Sequence, residues 1–399
     1  MARRLRDAGW RVGDRLAPDA DAVIVNTCSV THTADRKSAR LVNVARRNAP
    51  HATVALTGCL LETASRERID ALSADLVFRQ PQQLTLADRL IDLHQAPREA
   101  VHVLSQHRVL RTRAFISAQE GCNDVCAFCI IPKTRGRERS KTIDRVVDEA
   151  RKRESDGVNE VVITGTQLGH YGSDLGIRLH DLMRGLLEET GIARIRMSSV
   201  QPQDLTDELI DLWANPRLCR HFHLALQSGS QGVLERMRRR YTQDEFRTGV
   251  RRLREAIPGV AITTDVIVGF PGETESEFEE CLAFSEEMAF AGIHVFPYSQ
   301  RSGTVAFKMP EQIAESIKKE RVHRLIELAS KMSRVYRERF VGSTQSILWE
   351  QRDENGAWQG LTDTYVRTHA HSGSNLENTL TGVRITGQGE NGLLGEVPA

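Results

Sequence analysis

Three cysteines within eight residues, Cys122, Cys126 and Cys129 in the stretch CNDVCAFC, are the strongest chemical signal in the chain. Thiolates at these spacings can converge from one loop on a single metal centre, and loops of this kind wrap iron-sulfur clusters. A four-iron cluster held by three cysteines leaves one iron without a protein ligand, and that iron can bind a substrate or cofactor. A structural zinc site or ordinary buried cysteines are the alternatives. Zinc takes a fourth Cys or His at close spacing, and His170 or His180 could supply one only from elsewhere in the fold. Two more cysteines, Cys28 in NTCSVT and Cys59 in TGC, each follow a short apolar run. Cys219 and Cys281 show no such pattern and read as packing, although Cys219 lies close in sequence to His221 and His223.

The elements that must position these residues alternate between strand and helix. Ala22 to Val25, Thr53 to Leu56 and Leu76 to Phe78 read as strands with polar helices between them, which implies βαβ units and a parallel sheet. Cys28 and Cys59 then sit just beyond strand C-termini, where open α/β sheets place ligands. The stretch Ile91 to Arg108 reads as a linker. A second series follows, with strand candidates Ala114 to Ser117, Glu160 to Thr164, Arg194 to Ser198, His223 to Leu226, Ala261 to Val268 and Gly292 to Phe296. Six βα repeats suggest a partial parallel barrel with its site at the strand C-termini. Gln312 to Phe340 is helical and basic. Beyond it, Ser346 to Trp349, Leu361 to Val366, Thr381 to Thr386 and Gly392 to Val397 read as the short strands of a small β-barrel.

Composition bounds the function classes. A chain of 399 residues, 40% hydrophobic and 27% charged, has the apolar mass for two or three domains, which excludes disorder and collagen-like fibres. No run approaches the roughly 18 apolar residues of a membrane span, and MARRLRDAGW lacks a signal peptide's apolar run. A cytoplasmic protein is expected. Seven cysteines there argue against a disulfide framework and towards metal or catalysis. The net charge of +1 conceals a bias, because the 54 basic residues comprise 8 Lys and 46 Arg, and Arg grips phosphate with a bidentate fork.

The cysteine triplet, with Phe128 before its last member and at the end of the first strand of a βα series, resembles the radical S-adenosylmethionine (SAM) superfamily. The stretches GCNDVCAFCIIPKTRGR, HLALQSGS and DVIVGFPGE, together with NTCSVT, TGC and a terminal β-barrel, resemble the methylthiotransferases of that superfamily across nearly the whole chain. The resemblance implies an N-terminal open parallel α/β domain (1–98), a central partial (βα)6 radical SAM barrel (108–340) and a small C-terminal β-barrel of the RNA-binding TRAM type (341–399). It implies that Cys122, Cys126 and Cys129 hold a 4Fe-4S cluster that binds SAM and yields a 5′-deoxyadenosyl radical. Phe128, Thr164, Gly165, Gln227, Ser228, Ile267 and Gly269 stand where the family touches SAM. An auxiliary 4Fe-4S cluster would use Cys28 and Cys59. Its third ligand in the family precedes these on a first strand, but here no cysteine precedes Cys28. Either that strand is missing, through a misplaced start, or the third ligand comes from elsewhere.

Within the family, AITTDVIVGFPGE, HVFPYSQRSGT and RIRMSSVQP look most like the branch that methylthiolates N6-threonylcarbamoyladenosine 3′ of the tRNA anticodon. The alternatives are the branches acting on isopentenyladenosine in tRNA or on an Asp of a ribosomal protein, and a truncated tRNA-binding protein without catalysis. Arg238 departs from the Asn common in the family. The implied partners are a tRNA anticodon stem-loop, an electron donor such as flavodoxin or ferredoxin, and a sulfur source, for a monomer away from membranes. Three basic stretches are candidates for phosphate contact: Lys133 to Arg145, Arg236 to Arg240, and Lys318 to Phe340. Of Trp349, Trp358 and Tyr365, two are expected in the barrel core, leaving one to stack on a base.

Overall fold

The computed structural model describes residues 1–13, 16–27, 32–79, 82, 85–94 and 112–398. Contacts divide the chain into two compact units: Met1–Arg108 with Phe128–Gly136 and Ser299–Phe307, and the remainder.

The first unit carries α1 (Ala2–Asp7), β1 (Ala22–Thr27), α2 (His32–Asn48), β2 (Thr53–Gly58), α3 (Leu60–Thr63), α4 (Arg66–Asp70), β3 (Leu76–Phe78) and α5 (Leu86–Leu93). The three strands pair in parallel in the order β1-β2-β3. The apolar runs VIV and VAL fill both faces of this sheet: Val54 and Leu56 pack on one side, Ala55 on the other, as a covered parallel sheet requires. Part of the expected linker is in fact helix, since Ile91 to Leu93 complete α5, whose Leu86, Ala87 and Leu90 are buried. Cys59 follows β2 directly. Gly58 precedes it at φ +103°, where a Cβ would meet the Thr27 carbonyl oxygen at 2.1 Å, so only glycine lets the chain turn there. Cys28 lies outside the described residues.

The second unit opens with β4 (Arg113–Glu120). After it come α6 (Ile131–Arg135, assigned to the first unit), β5 (Arg139–Ser140), α7 (Ile143–Ser155), β6 (Glu160–Gly165), α8 (Leu179–Glu189), β7 (Arg194–Met197), β8 (Ser199–Val200) and α9 (Asp207–Ile210). Then follow β9 (His221–Leu224), α10 (Gln231–Arg236), α11 (Gln243–Ala256), β10 (Ala261–Val268), α12 (Glu275–Met288), β11 (Gly292–Pro297) and α13 (Glu315–Glu338). Two sheets form, β5-β4-β6-β7 and β11-β10-β9-β8, parallel throughout except for the β4–β5 hairpin. All six expected strands are present, and only Ser198 separates β7 from β8. Capping boxes at Thr242/Glu245 and Thr274/Glu277 set the starts of α11 and α12.

The chain ends in a closed barrel of β12 (Thr344–Arg352), β13 (Trp358–Thr362), β14 (Arg367–Ala370), β15 (Leu380–Gly389) and β16 (Gly392–Glu396), in the order β12-β13-β14-β16-β15. The expected strand Leu361 to Val366 is corrected here: it straddles the turn between β13 and β14, where Tyr365 takes φ 66°. Trp349 and Trp358 fill the barrel core, whereas Tyr365 projects out of it.

Candidate active site

The strands of the two parallel sheets alternate between faces. On β10, Ile262, Thr264, Val266 and Val268 are buried, while Thr263, Asp265 and Ile267 are half-buried on the inner face. On β4, Ile116 and Ala118 join the core, leaving Phe115 exposed on the inner side with Ser117. The inner face is thus accessible, and the loops after the strand C-termini surround its mouth.

The cysteine loop leaves β4 at Gly121 and runs to Ile130 without helix or strand. All three cysteines are half-exposed, unlike Cys59, Cys219 and Cys281, which are buried. Cys122 and Cys126 belong to the larger unit; Phe128 and Cys129 lie in the segment assigned to the smaller one. Arg239 anchors the loop from the turn after α10. Its Nη1 donates to Cys126 Sγ at 3.1 Å, its Nη2 to Gln201 Oε1 at 2.8 Å and its Nε to Tyr241 Oη at 3.1 Å. Gln201 in turn donates to Asp124 (3.1 Å), which also faces Arg240 at 3.0 Å, and the Ala127 N–H donates to the Met237 carbonyl (2.9 Å). Burial pulls the Arg239 guanidinium down, but Tyr241 and Cys126 hold it above its ordinary value, so it stays cationic. That donor set, three half-exposed thiols on one loop with Cys126 against a guanidinium, fits an iron-sulfur cluster. The two histidines offered as a fourth zinc ligand pair with carboxylates: His170 Nδ1 with Glu138 (2.9 Å) and His180 with Asp181 (3.3 Å).

The other expected site residues occupy the strand C-termini. Thr164 and Gly165 end β6, with the Thr164 hydroxyl on the Ile116 carbonyl at 3.3 Å. Gln227 is held at φ 67° by two backbone hydrogen bonds of 2.8 Å, from its N–H to the Asp265 carbonyl and from the Ile267 N–H to its own carbonyl. A non-glycine residue in this region costs on the order of 1 kcal/mol or more, and such positions cluster at functional sites. Ser228 is buried, its hydroxyl accepting from the Ser230 N–H at 3.2 Å. Ile267 lies on the inner face of β10, and the Gly269 N–H donates to Glu273 at 2.8 Å.

Cys219 and Cys281 are core residues, each pushed up to about 12 by burial. Cys281 Sγ accepts from the Gly229 N–H at 3.2 Å. Among the basic stretches, Arg236 pairs with Glu277 at 2.7 Å and the half-buried Arg239 is taken up by Cys126, Gln201 and Tyr241, whereas Arg238 and Arg240 are exposed. In α13, Lys318 and Arg321 are buried and paired with Glu315 (2.8 Å) and Glu273 (2.6 Å), while Lys319, Lys331, Arg334 and Arg339 are exposed. Sequence reasoning missed Arg239, Gln201 and Asp124; the only signal was an arginine run two residues from a tyrosine. It also missed the grouping of His223, Asp265 and His294, whose ligand atoms lie within 4.8 Å of one another on three different strands.

Residues 1–79 match the family described as "Uncharacterized protein family UPF0004", and residues 116–285 match the Radical SAM superfamily. The chain is similar to the threonylcarbamoyladenosine tRNA methylthiotransferase MtaB of Bacillus subtilis, 36% identical over 403 residues that cover 95% of this chain and 88% of that protein. It is also similar to the tRNA-2-methylthio-N(6)-dimethylallyladenosine synthase of Pelotomaculum thermopropionicum, 33% identical over 85% of this chain and 80% of that protein. Among solved structures, the radical SAM methyltransferase TsrM of Kitasatospora setae superposes with a TM-score of 0.53 at 16% identity, covering 69% of this chain and 61% of that one. This last likeness is one of fold alone.

Proposed function

The chain belongs to the radical SAM methylthiotransferases, and from that premise we propose that it converts N6-threonylcarbamoyladenosine, 3′ of the tRNA anticodon, to its 2-methylthio derivative. The carrying observation is the 36% identity, over nearly the whole chain, to a relative named for that substrate. Cys122, Cys126 and Cys129 hold the 4Fe-4S cluster, with Arg239 steadying the loop through Cys126. Phe128, Thr164, Gly165, Gln227, Ser228, Ile267 and Gly269 form the SAM-binding rim. A cluster and SAM bound there supply the electron and the radical that remove hydrogen from an unactivated carbon, the chemistry being the cofactors' own. The protein's part is to aim the nucleoside at that rim and to exclude water. Cys28 and Cys59 would hold an auxiliary 4Fe-4S cluster, which would supply the sulfur of the methylthio group.

The reading includes three domains, 1–98, 108–340 and 341–399, a tRNA anticodon stem-loop as substrate, and an electron donor and a sulfur source as partners in the cytoplasm. Among the described residues no helix is long and apolar enough to cross a membrane. The deciding measurement is mass spectrometry of tRNA nucleosides from cells lacking the gene. 2-Methylthio-N6-threonylcarbamoyladenosine disappears; its persistence, with loss of the dimethylallyl derivative instead, would transfer the enzyme to the other tRNA branch. Iron analysis checks the clusters: about eight irons per reconstituted chain for two, and about four fewer in Cys126→Ala, which is inactive.

A further inference from the structure

The inner face of the second sheet carries a polar group that the cluster and SAM do not use. His223 on β9, Asp265 on β10 and His294 on β11 come together there, with ligand atoms all within 4.8 Å. Strand register puts them on one face: Thr263 is opposite His223, Asp265 opposite His294 and Ile267 opposite Phe296. His223 Nε2 lies 3.3 Å from Asp265 Oδ2, and His223 Nδ1 is 3.1 Å from the Thr263 hydroxyl, which fixes the ring. The His294 ring is 5.8 Å from that of His223, and His294 is exposed. Towards the strand C-termini the same face becomes apolar, with Ile267 and Phe296, the latter 43% exposed. In the other direction His221 is buried and stacks on Tyr365 at 5.0 Å, closing the floor.

This face has an apolar end and a hydrogen-bonding end. A planar purine suits the apolar end beside Phe296. A substituent on its N6 then meets two imidazoles and a carboxylate. A threonylcarbamoyl group presents a carboxylate, a hydroxyl and a ureido N–H, and each finds a complement: the exposed His294 for the carboxylate, and Asp265, held by His223, for the hydroxyl or N–H. A dimethylallyl group has no hydrogen-bonding atom and would cover the exposed His294 without giving it a partner, at about 1–3 kcal/mol, while His223 and Asp265 would keep only each other. Sites built to hydrogen-bond a substrate reject analogues that lack the group far better than apolar pockets reject an added one.

We infer that His223, Asp265 and His294 form the subsite that reads the acidic, hydroxyl-bearing N6 substituent of the substrate nucleoside. The inference rests on the reaction proposed above and adds the residues that select its substrate.

The test uses the reconstituted holoenzyme, its His294→Phe, His294→Gln and Asp265→Asn variants, and anticodon stem-loops bearing the threonylcarbamoyl or the dimethylallyl group. Uncoupled cleavage of SAM reports separately on the cluster and the fold. His294→Phe lowers kcat/KM for the threonylcarbamoyl substrate about 10- to 100-fold, the effect of losing one charge-assisted hydrogen bond, mainly through KM and with uncoupled SAM cleavage unchanged. His294→Gln, which keeps a donor, recovers most of the loss, and Asp265→Asn falls between. Unchanged kcat/KM in both His294→Phe and Asp265→Asn would overturn the subsite and leave the reaction standing. A wild-type enzyme that turns over only the dimethylallyl stem-loop would overturn the reaction itself. Two histidines and a carboxylate are also a metal-binding set. Stoichiometric zinc or manganese in the wild type that is lost in His294→Phe would make this a metal site and refute substituent recognition.

Discussion

Arg239 shows how one side chain serves both folding and chemistry. Its guanidinium joins Cys126, Gln201 and Tyr241, and Tyr241 donates onward to the Leu226 carbonyl at 2.6 Å, tying the cysteine loop to the end of β9. Replacing it by Met removes a positive charge next to Cys126, a proposed cluster ligand. The cluster's reduction potential then shifts downward by on the order of 50 mV, read by redox titration under electron paramagnetic resonance, and Arg239→Lys shifts it less. No shift with Met would show that the charge is screened from the cluster. Asp204 is pushed up to about 6, first by burial and then by Asp124, with His170 and Arg239 opposing. Its folded value exceeds the unfolded 3.8, so the stability it contributes is complete below about pH 4 and lost as pH rises through 6. Asn in its place keeps the acceptor for the Gln201 N–H, which Asp204 takes at 2.7 Å. Asp204→Asn therefore melts about 2–4 °C higher than wild type at pH 8, and the difference vanishes near pH 4.

At the scale of elements, β-branched runs such as AITTDVIV made the strands legible, because parallel strands covered on their outer face must be apolar there. The loops after them depend on close approach that no propensity records. Gly229 lies beside α12, where a Cβ would stand 2.8 Å from both the Cα and the carbonyl oxygen of Cys281. Gly229→Ala forces α12 away and costs about 1–3 kcal/mol, measured as a lower denaturation midpoint. Because the segment between Gln227 and Gly229 moves with it, SAM affinity falls too; a destabilised variant with unchanged SAM affinity would remove that segment from the rim. Helix α13 illustrates the converse. Its basic residues look uniform in sequence, yet its period of 3.6 turns Lys318 and Arg321 inward and leaves Lys319 and Arg334 outside.

In the larger unit as a whole, the terminal barrel is joined to the N-terminal ends of the parallel strands by arginines. Arg196 donates to Glu160 at 2.8 Å and to the carbonyls of Asp363 and Thr362 at 2.9 and 3.3 Å; Arg194 reaches the Leu361 carbonyl at 3.0 Å. Arg220 pairs with Asp363 at 2.7 Å, and the Arg196 guanidinium lies 4.7 Å from the centre of the Tyr365 ring. Part of the arginine excess therefore grips backbone carbonyls. Arg196→Met leaves Glu160 buried without its closest partner and costs about 3–5 kcal/mol, whereas the double variant Arg196→Met, Glu160→Leu recovers much of it. Equal instability of the single and double variants in calorimetry would show that the carbonyl contacts, and not the ion pair, hold the junction.

The cysteine spacing, the strand-helix alternation and the short terminal strands are local properties, since each depends on residues adjacent in the chain. The sequence by itself therefore determined the α/β architecture, the terminal barrel and the resemblance that identified the reaction class. It did not reveal the side chains that converge from distant segments. His223, Asp265 and His294 are 71 residues apart end to end in numbering and meet only because β9, β10 and β11 lie side by side in register. Arg239 reads as one more member of a basic run until the turn at Arg238, φ 59°, directs it onto Cys126. Whether a charge meets solvent or closes on a sulfur or a carbonyl depends on which strands become neighbours, and only the tertiary structure decided that.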